Sequence, residues 1–496
     1  MLSSSRGERS APHKVSALSL RLVFLLVPLL VLLAPREAAA YQWMLKHGYP
    51  TCGACHTDPS GGELLTFYGR MQSEVTLSMP WGGGASAEAA ASRSTRPRLV
   101  RNPLTLAAGG KLADKDGAVE EKVELEDDPP ADGDKAEGDE AAEGESSEGA
   151  GAEAEASSAA PAAAEEEDDG LGPITPFLFG LWEPPDFLLL GGSYRHLNII
   201  TPTGGEKFKT FPMMMDIYGQ IQFGGFKAGG SLGAARVAAG SPYARPAQIT
   251  ANQGKQWNLI SRTHYVGYDI TNELQVRAGR LNLPFGVRIP EHTMWVRQAT
   301  RTDRESAQQH GVSASYNHEK FRIEVMGIAG NYQLNPDRYR ERGYSGYFEF
   351  YATPKTVVGI NSLYTTANED RFLNDEKPLA RASHGAMVRS TIGESTVFAL
   401  ELDSLFRSRH EPGYVGFGQL DYEVTQGLHF MLTGELLDAG YLRGSQTPRA
   451  AGAGKPKIGG WLSAAWWFLP HFDIRVDAIK RTQEDLSILA QLHVYL

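Results

Sequence analysis

Cysteine is almost absent: the 496 residues hold two, Cys52 and Cys55. No second C-x-x-C and no H-x-x-x-H occurs anywhere in the chain, which removes the four-ligand zinc site that such a pair could half-build. A βαβ pattern is missing around Cys52, and with it the usual setting of a dithiol oxidoreductase. Long apolar runs are lacking beyond Ala40. No later stretch holds about 18 apolar residues without charge, which excludes a helical inner-membrane protein. No catalytic constellation surrounds the cysteines, so a small-molecule enzyme has little support.

What is present begins with a leader. Arg6, Arg9, Lys14 and Arg21 precede or enter a Leu/Val-rich run ending near Leu33, followed by Ala38, Ala39 and Ala40. This pattern predicts a signal peptide over residues 1–40, cut before Tyr41. Directly after it comes Cys52-Gly53-Ala54-Cys55-His56. In an exported chain with no other cysteine, that spacing reads as a covalent haem c site. Two thiols one turn apart form thioethers, and the adjacent imidazole of His56 turns onto the iron. No thiol then remains for a disulfide. The second iron ligand is left open by the sequence; His47 is favoured because it leads into the motif, with Met44, Met71 and Met79 as alternatives. The module, residues 41–81, is too small for a self-sufficient core. Glu63 to Met71 is expected to form a short helix presenting Leu64, Phe67 or Tyr68, and Met71 to the porphyrin.

Acid is concentrated rather than spread. Lys111 to Gly170 carries 23 Asp/Glu against 4 Lys/Arg, a net of −19, whereas the whole chain nets −11. Residues 82–170, built of Glu, Asp, Ala, Gly, Ser and Pro with almost no aromatics, are therefore expected to be a disordered acidic linker.

From residue 173 to 496 short segments alternate apolar and polar residues between clusters of Gly, Asn, Asp and Pro, the period-two signature of strands. Sixteen candidates begin near Pro185, Pro212, Phe226, Gln256, Glu273, His310, Glu319, Gly343, Lys355, His384, Glu394, Glu411, Gln426, Lys457, His471 and Leu486. The number, the length and the export predict a 16-stranded antiparallel transmembrane β-barrel, so the fold class is all-β with a small N-terminal α-helical haem module. Arg277, Arg322, Glu324, Asp473, Arg475 and Asp477 should face a wet lumen. Trp182, Trp257, Trp295, Trp461, Trp466 and Trp467 are candidates for interfacial girdles. A long connection, Leu283 to Gln309, carries Arg288, Arg297, Arg301 and Arg304 with His292 and Trp295. It is either a lumenal constriction or a solvated loop. The closing strand ends in Leu496 beside Tyr495, where an aromatic last residue is usual.

One C-x-x-C-H motif at Cys52, Cys55 and His56 followed by a sixteen-strand barrel resembles the fused outer-membrane cytochrome-porins of iron-oxidising bacteria. The long acidic linker departs from the compact join of that family. The resemblance implies a haem in or against the pore, electrons taken from extracellular ferrous iron and periplasmic carriers such as soluble cytochromes as partners, in the outer membrane of a Gram-negative bacterium. An iron oxidase is the activity it implies. Outer-membrane lipid is the other expected partner, and nucleic acid is not expected. The alternative is a transport porin with a tethered cytochrome module for redox sensing or partner docking.

Overall fold

The computed structural model describes residues 43–47, 49, 51–79, 184–185, 187–202, 208–236, 242–252, 256–291, 293–333, 340–369, 377–440 and 456–496. The expected signal peptide, the acidic linker, Trp182 and His292 lie outside the described residues, as does the side chain of Met71.

Alternation builds the barrel strand by strand. The first half comprises β1 (Leu188–Ile200), β2 (Phe208–Phe223), β3 (Phe226–Ala235), β4 (Asn258–Ile260), β5 (His264–Asp269), β6 (Leu274–Leu281), β7 (Gln309–Asn317) and β8 (Phe321–Gly330). The second half comprises β9 (Arg342–Thr353), β10 (Thr356–Ala367), β11 (Leu379–Ile392), β12 (Thr396–Arg407), β13 (Gly413–Thr425), β14 (Leu428–Asp438), β15 (Lys457–Leu469), β16 (Phe472–Arg481) and β17 (Ser487–Tyr495). Among the described residues these 17 segments form one sheet. Both β4 and β5 pair with β3, so they act as one strand interrupted at 261–263 and the ring has sixteen members. Every neighbour is antiparallel, and β1 meets β17 from Ser193 opposite Tyr495 to Ile200 opposite Ile488. Each of the sixteen expected starts falls within five residues of an observed one.

Closure assigns the two faces. Along β8, Arg322, Glu324, Met326 and Ile328 are buried while Ile323 and Val325 are exposed. Along β14, His429, Met431, Thr433 and Glu435 point inward while Phe430 and Leu432 point out. The expected lumenal residues Arg277, Arg322, Glu324, Asp473 and Asp477 are all buried. The outer surface is correspondingly apolar, with Ile217, Val266, Val312, Ile360, Ile458 and Leu462 all exposed. Such a belt, with every described strand paired on both sides, is the arrangement a barrel needs in lipid. Three girdle candidates are corrected: Trp295 and Trp461 are buried inside the lumen and Trp467 turns to the lumenal cavity, none of them to a lipid interface. For Trp461 the reason is a polar handle, since it donates its indole N–H to Glu435 at 2.7 Å.

Turns at one mouth are short, such as Gly224–Gly225 between β2 and β3 or Gln426–Gly427 between β13 and β14. Connections at the other mouth are longer, the longest running from β6 to β7. Leu432 sits near the midpoint of β14 on the lipid-facing side, with 59% of its surface exposed. Leu432→Arg should cost about 2–4 kcal/mol in urea unfolding from lipid vesicles. A cost near zero would contradict the assignment of that face.

Candidate functional site

The connection between β6 and β7 folds into the lumen, which decides between the two readings of the arginine-rich stretch. Val287, Ile289, Met294, Trp295 and Val296 form a buried cluster with Tyr347, Met387, Phe417 and Trp461 of the wall. A short helix, α2 (Trp295–Thr300), lies within it, the second after α1 (Phe67–Gln72) in chain order. Two carboxylates anchor the connection. Glu401 of β12 accepts the backbone N–H of Val287 at 2.7 Å and the Arg297 fork at 3.1 and 2.6 Å. Glu435 of β14 accepts the N–H of Trp295 at 2.9 Å and Arg481 Nε at 2.6 Å.

Residues 43–79 occupy the lumen from the short-turn mouth inward. Met44 and Leu45 are buried with Val357 and Val397, packed on Tyr351 and Trp467. Lys46 pairs with Glu423 near the end of β13. Gln426 donates to Ser78 O at 2.7 Å, Met79 N to Trp467 O at 2.9 Å, and Glu74 Oε1 lies 3.1 Å from His471 Nε2. Deeper, Arg277 Nη2 reaches Asp58 at 3.1 Å and Glu324 at 3.0 Å, and Arg70 donates to Leu190 O at 2.6 Å. Asn282 Nδ2 serves both Asp58, at 2.9 Å, and Glu63, at 3.2 Å, while Thr263 also donates to Glu63. The segment is therefore held by hydrogen bonds and ion pairs on several sides of the lumen.

Within it, Cys52–Ala54 is a single helical turn in which both Cys55 N and His56 N donate to Cys52 O, at 3.2 and 3.0 Å. The chain then turns at Gly61 and Gly62, and Leu65 bridges back to His56. Helix α1 (Phe67–Gln72) follows, with Thr66 accepting the N–H of Gly69 at 3.0 Å as its N-terminal cap. The helix starts later than the sequence pattern predicts. Glu63 has φ of 58° and turns its carboxyl to the wall, so residues 63–66 are not helical. Phe67 is half exposed rather than turned inward, whereas Leu64 packs on Leu189 and Tyr218. Gly69 meets the cysteine turn so closely that a Cβ there would lie 2.0 Å from Cys55 O.

Cys52, Cys55 and His56 line one internal cavity with about 2500 Å³ of atom-free space, part of it open. Both thiols are free. Burial, and then the neighbouring Cys52, pushes the Cys55 thiol up to about 12. Burial with Arg304 nearby lowers the His56 imidazole to about 4, leaving it neutral, and its Nδ1 is buried with no hydrogen-bond partner among the described residues. The donor set fits haem c: two thiols on one turn, a neutral imidazole and mostly apolar walls. His47 is not brought to this cavity. It faces Glu423 at 3.7 Å beside the Lys46 ion pair, and burial lowers it to about 3. Met44 does line the cavity, while Met79 Sδ accepts from Trp466 Nε1 at 2.9 Å. Sequence reasoning missed the barrel's contribution, since Met213, Met214, Met431 and His493 share the cavity. Inward parity was readable for Met214, Met431 and His493, whereas Met213 turns inward through a bulge opposite Arg195 and His196, and their convergence was not readable.

Similar solved structures are outer-membrane barrels. OmpT of Vibrio cholerae in its trimer form matches with a TM-score of 0.46 at 9% identity, covering 62% of this chain and 99% of that one. OmpF of Salmonella typhi in complex with daunomycin matches at 0.44 and 12%, covering 62% and 97%. An anion-selective porin from Comamonas acidovorans matches at 0.43 and 11%, covering 62% and 99%. No family model and no curated protein matches the chain.

Two outcomes follow from the anchors. Glu401→Ala leaves Arg297 buried without its partner and should cost about 3–5 kcal/mol, seen as faster proteolysis of the inner loop; unchanged cleavage would show that the loop does not depend on it. Burial, and then Asp58, raises Glu63 to about 7, against the opposing pull of Thr263, Arg304 and Asn282; Arg280 also acts on it. A carboxyl raised above its free value of 4.5 contributes fully below that value and loses its contribution as pH rises through about 7. Asp58, held below its usual range by Arg277 and Arg304 against the cost of burial, runs the other way and loses its contribution only in stronger acid. Hydrogen-exchange protection in residues 43–79, corrected for the intrinsic rise of amide exchange with pH, should therefore fall as pH rises from 4.5 to about 7, and Glu63→Gln should flatten that fall. A pH-independent wild type would contradict the assignment.

Proposed function

We propose that this chain is an outer-membrane electron-transfer protein carrying one haem c on Cys52, Cys55 and His56 within the barrel. It would pass electrons between an extracellular donor or acceptor, ferrous iron among them, and periplasmic carriers such as soluble cytochromes. The observation that carries this reading is the meeting of both thiols and His56 on one lumenal cavity. Bound there, haem c supplies a one-electron centre whose potential depends on its axial ligands and surroundings.

The chain's own residues supply the rest. Cys52 and Cys55 are the attachment points and His56 the iron ligand, with the second ligand drawn from the cavity wall. Leu65, Leu77, Trp461 and Trp467 give apolar surface for a porphyrin. Asp58, Glu63 and Lys46 hold the segment against the wall, so that an attached group keeps its place. A hydrocarbon core about 30 Å thick is too wide for a surface-bound centre to serve both sides, and a lumenal one shortens each path. The apolar outer belt supports the membrane location.

A second reading is a transport porin whose N-terminal segment senses redox state or docks a partner. The inner loop favours it, because a constriction of this kind belongs to a solute pore. Conductance that is the same with and without Cys52 and Cys55 would favour this second reading.

Denaturing gels stained for haem test the first. Wild type should stain, Cys52→Ser with Cys55→Ser should not, and His56→Ala should lose the low-spin spectrum with the barrel still folded by heat-modifiable mobility. An unstained wild type, or a stained double variant, would refute the assignment.

A further inference from the structure

Lumenal arginines are mostly paired with carboxylates: Arg277 with Asp58 and Glu324, Arg297 with Glu401, Arg381 with Glu341, and Arg475 with Glu291. Arg288 and Arg304, both from the inner loop, are different. Neither forms an ion pair among the described residues, and each has Nη2 buried without a hydrogen-bond partner. Both line the cavity that holds Cys52.

Each guanidinium is nonetheless fixed. Arg288 donates through Nη1 to Leu283 O at 3.2 Å and Phe285 O at 2.7 Å, and lies over the Tyr347 ring at 4.9 Å. Arg322, itself 1% exposed, lies over the same ring at 5.0 Å and is paired with Glu324 at 3.7 Å. Arg304 Nη1 is 3.5 Å from Ser60 O, and its fork fills the space a side chain at Gly62 would need, 2.5 Å from the Cβ position. The Cβ position of Gly61 is 3.0 Å from Cys52 Sγ and 3.8 Å from Arg304 Nη1, so sulfur and nitrogen flank the same glycine. Arg288 and Arg304 are also close enough to repel one another.

Carboxylates act on the two guanidiniums only from beyond ion-pair distance, Asp58 and Glu63 on Arg304 and Glu324 on Arg288, and each keeps a buried Nη2 with no acceptor, an arrangement that is costly unless an anion joins them. Their planar forks match the oxygens of a carboxylate or a phosphate. We propose that Arg288 and Arg304 form an oxyanion clamp beside Cys52, at the junction of the inner loop and the N-terminal segment, that takes one carboxylate or phosphate group. That group has two sources, a free anion entering the lumen or a carboxylate of the haem proposed above. The clamp itself does not depend on the haem reading.

The test uses the full-length chain with inorganic phosphate as the probe, followed by calorimetry and ³¹P NMR. The starting protein is Cys52→Ser with Cys55→Ser, which has no attachment point for haem. Phosphate should bind it, and adding Arg288→Gln or Arg304→Gln should weaken binding by about tenfold or more for each, as expected for charge-assisted hydrogen bonds. Arg304→Lys keeps the charge, disturbs folding least and should bind more weakly than Arg304. Heat-modifiable mobility checks that each barrel is folded. If the wild type binds phosphate as the cysteine-free protein does, the source is a free anion. If haem staining is positive and phosphate is excluded from the wild type only, the haem carboxylate fills the clamp. Absent phosphate binding in the folded cysteine-free protein, or binding that Arg288→Gln, Arg304→Gln and Arg304→Lys leave unchanged, overturns the clamp. An unstained wild type that still binds phosphate through these arginines removes the haem reading and leaves the clamp standing.

Discussion

Pairing of β1 with β17 is the constraint on which the rest depends, because it converts a ribbon of alternating strands into a wall with an inside. Alternation alone gives each strand an apolar and a polar face; closure decides which meets lipid. Once Leu432 and Ile323 face out, Glu435, Glu324 and Arg322 must face in. Charges that would be solvated in an open sheet then lie in a confined space, where each needs a partner. The packing of the lumen follows from that demand.

Carboxylates of the wall meet it by holding two chain segments. Glu401 and Glu435 hold the inner loop through its backbone N–H groups and arginines. On the N-terminal segment the roles reverse, and its own Asp58 supplies the charge that Arg277 requires. A buried carboxylate with several donors is weak evidence of net stability but strong evidence of a fixed position. The loop and the segment meet at Arg304 against Gly61 and Gly62, beside Cys52. Position, more than stability, is what an electron carrier or an anion site needs from this arrangement.

Strand number and face were legible in the sequence because both depend on a local period of two, which survives without any knowledge of neighbours. His471 to Ala478 displays it residue by residue, and β16 begins at Phe472. The cysteine motif was legible for a similar reason, being a turn closed by its own backbone. What was not legible depended on distant partners. Whether Leu283 to Gln309 enters the lumen rests on Glu401, more than ninety residues away. Trp461 resembles a girdle residue until Glu435 is seen beside it. His47 precedes the motif closely in sequence, yet the Lys46 pair with Glu423 turns that stretch to the wall. The helix expected from Glu63 begins late because Thr263 and Asn282 claim its carboxyl.

The central claim is that residues 43–79 sit inside the barrel with Cys52, Cys55 and His56 on its cavity. Zero-length carbodiimide coupling tests it directly, since that reagent joins only amines and carboxylates already in contact. Burial lowers Lys46 to about 8, so a fraction is a free amine near neutral pH. Mass spectrometry of the folded protein should find Lys46 joined to Glu423, alongside Lys227 joined to Asp269, 2.6 Å apart, as the barrel's own control. If Lys227 is joined to Asp269 while Lys46 is joined only to acids of residues 111–170, or to none, the segment is not in the lumen and the account is wrong.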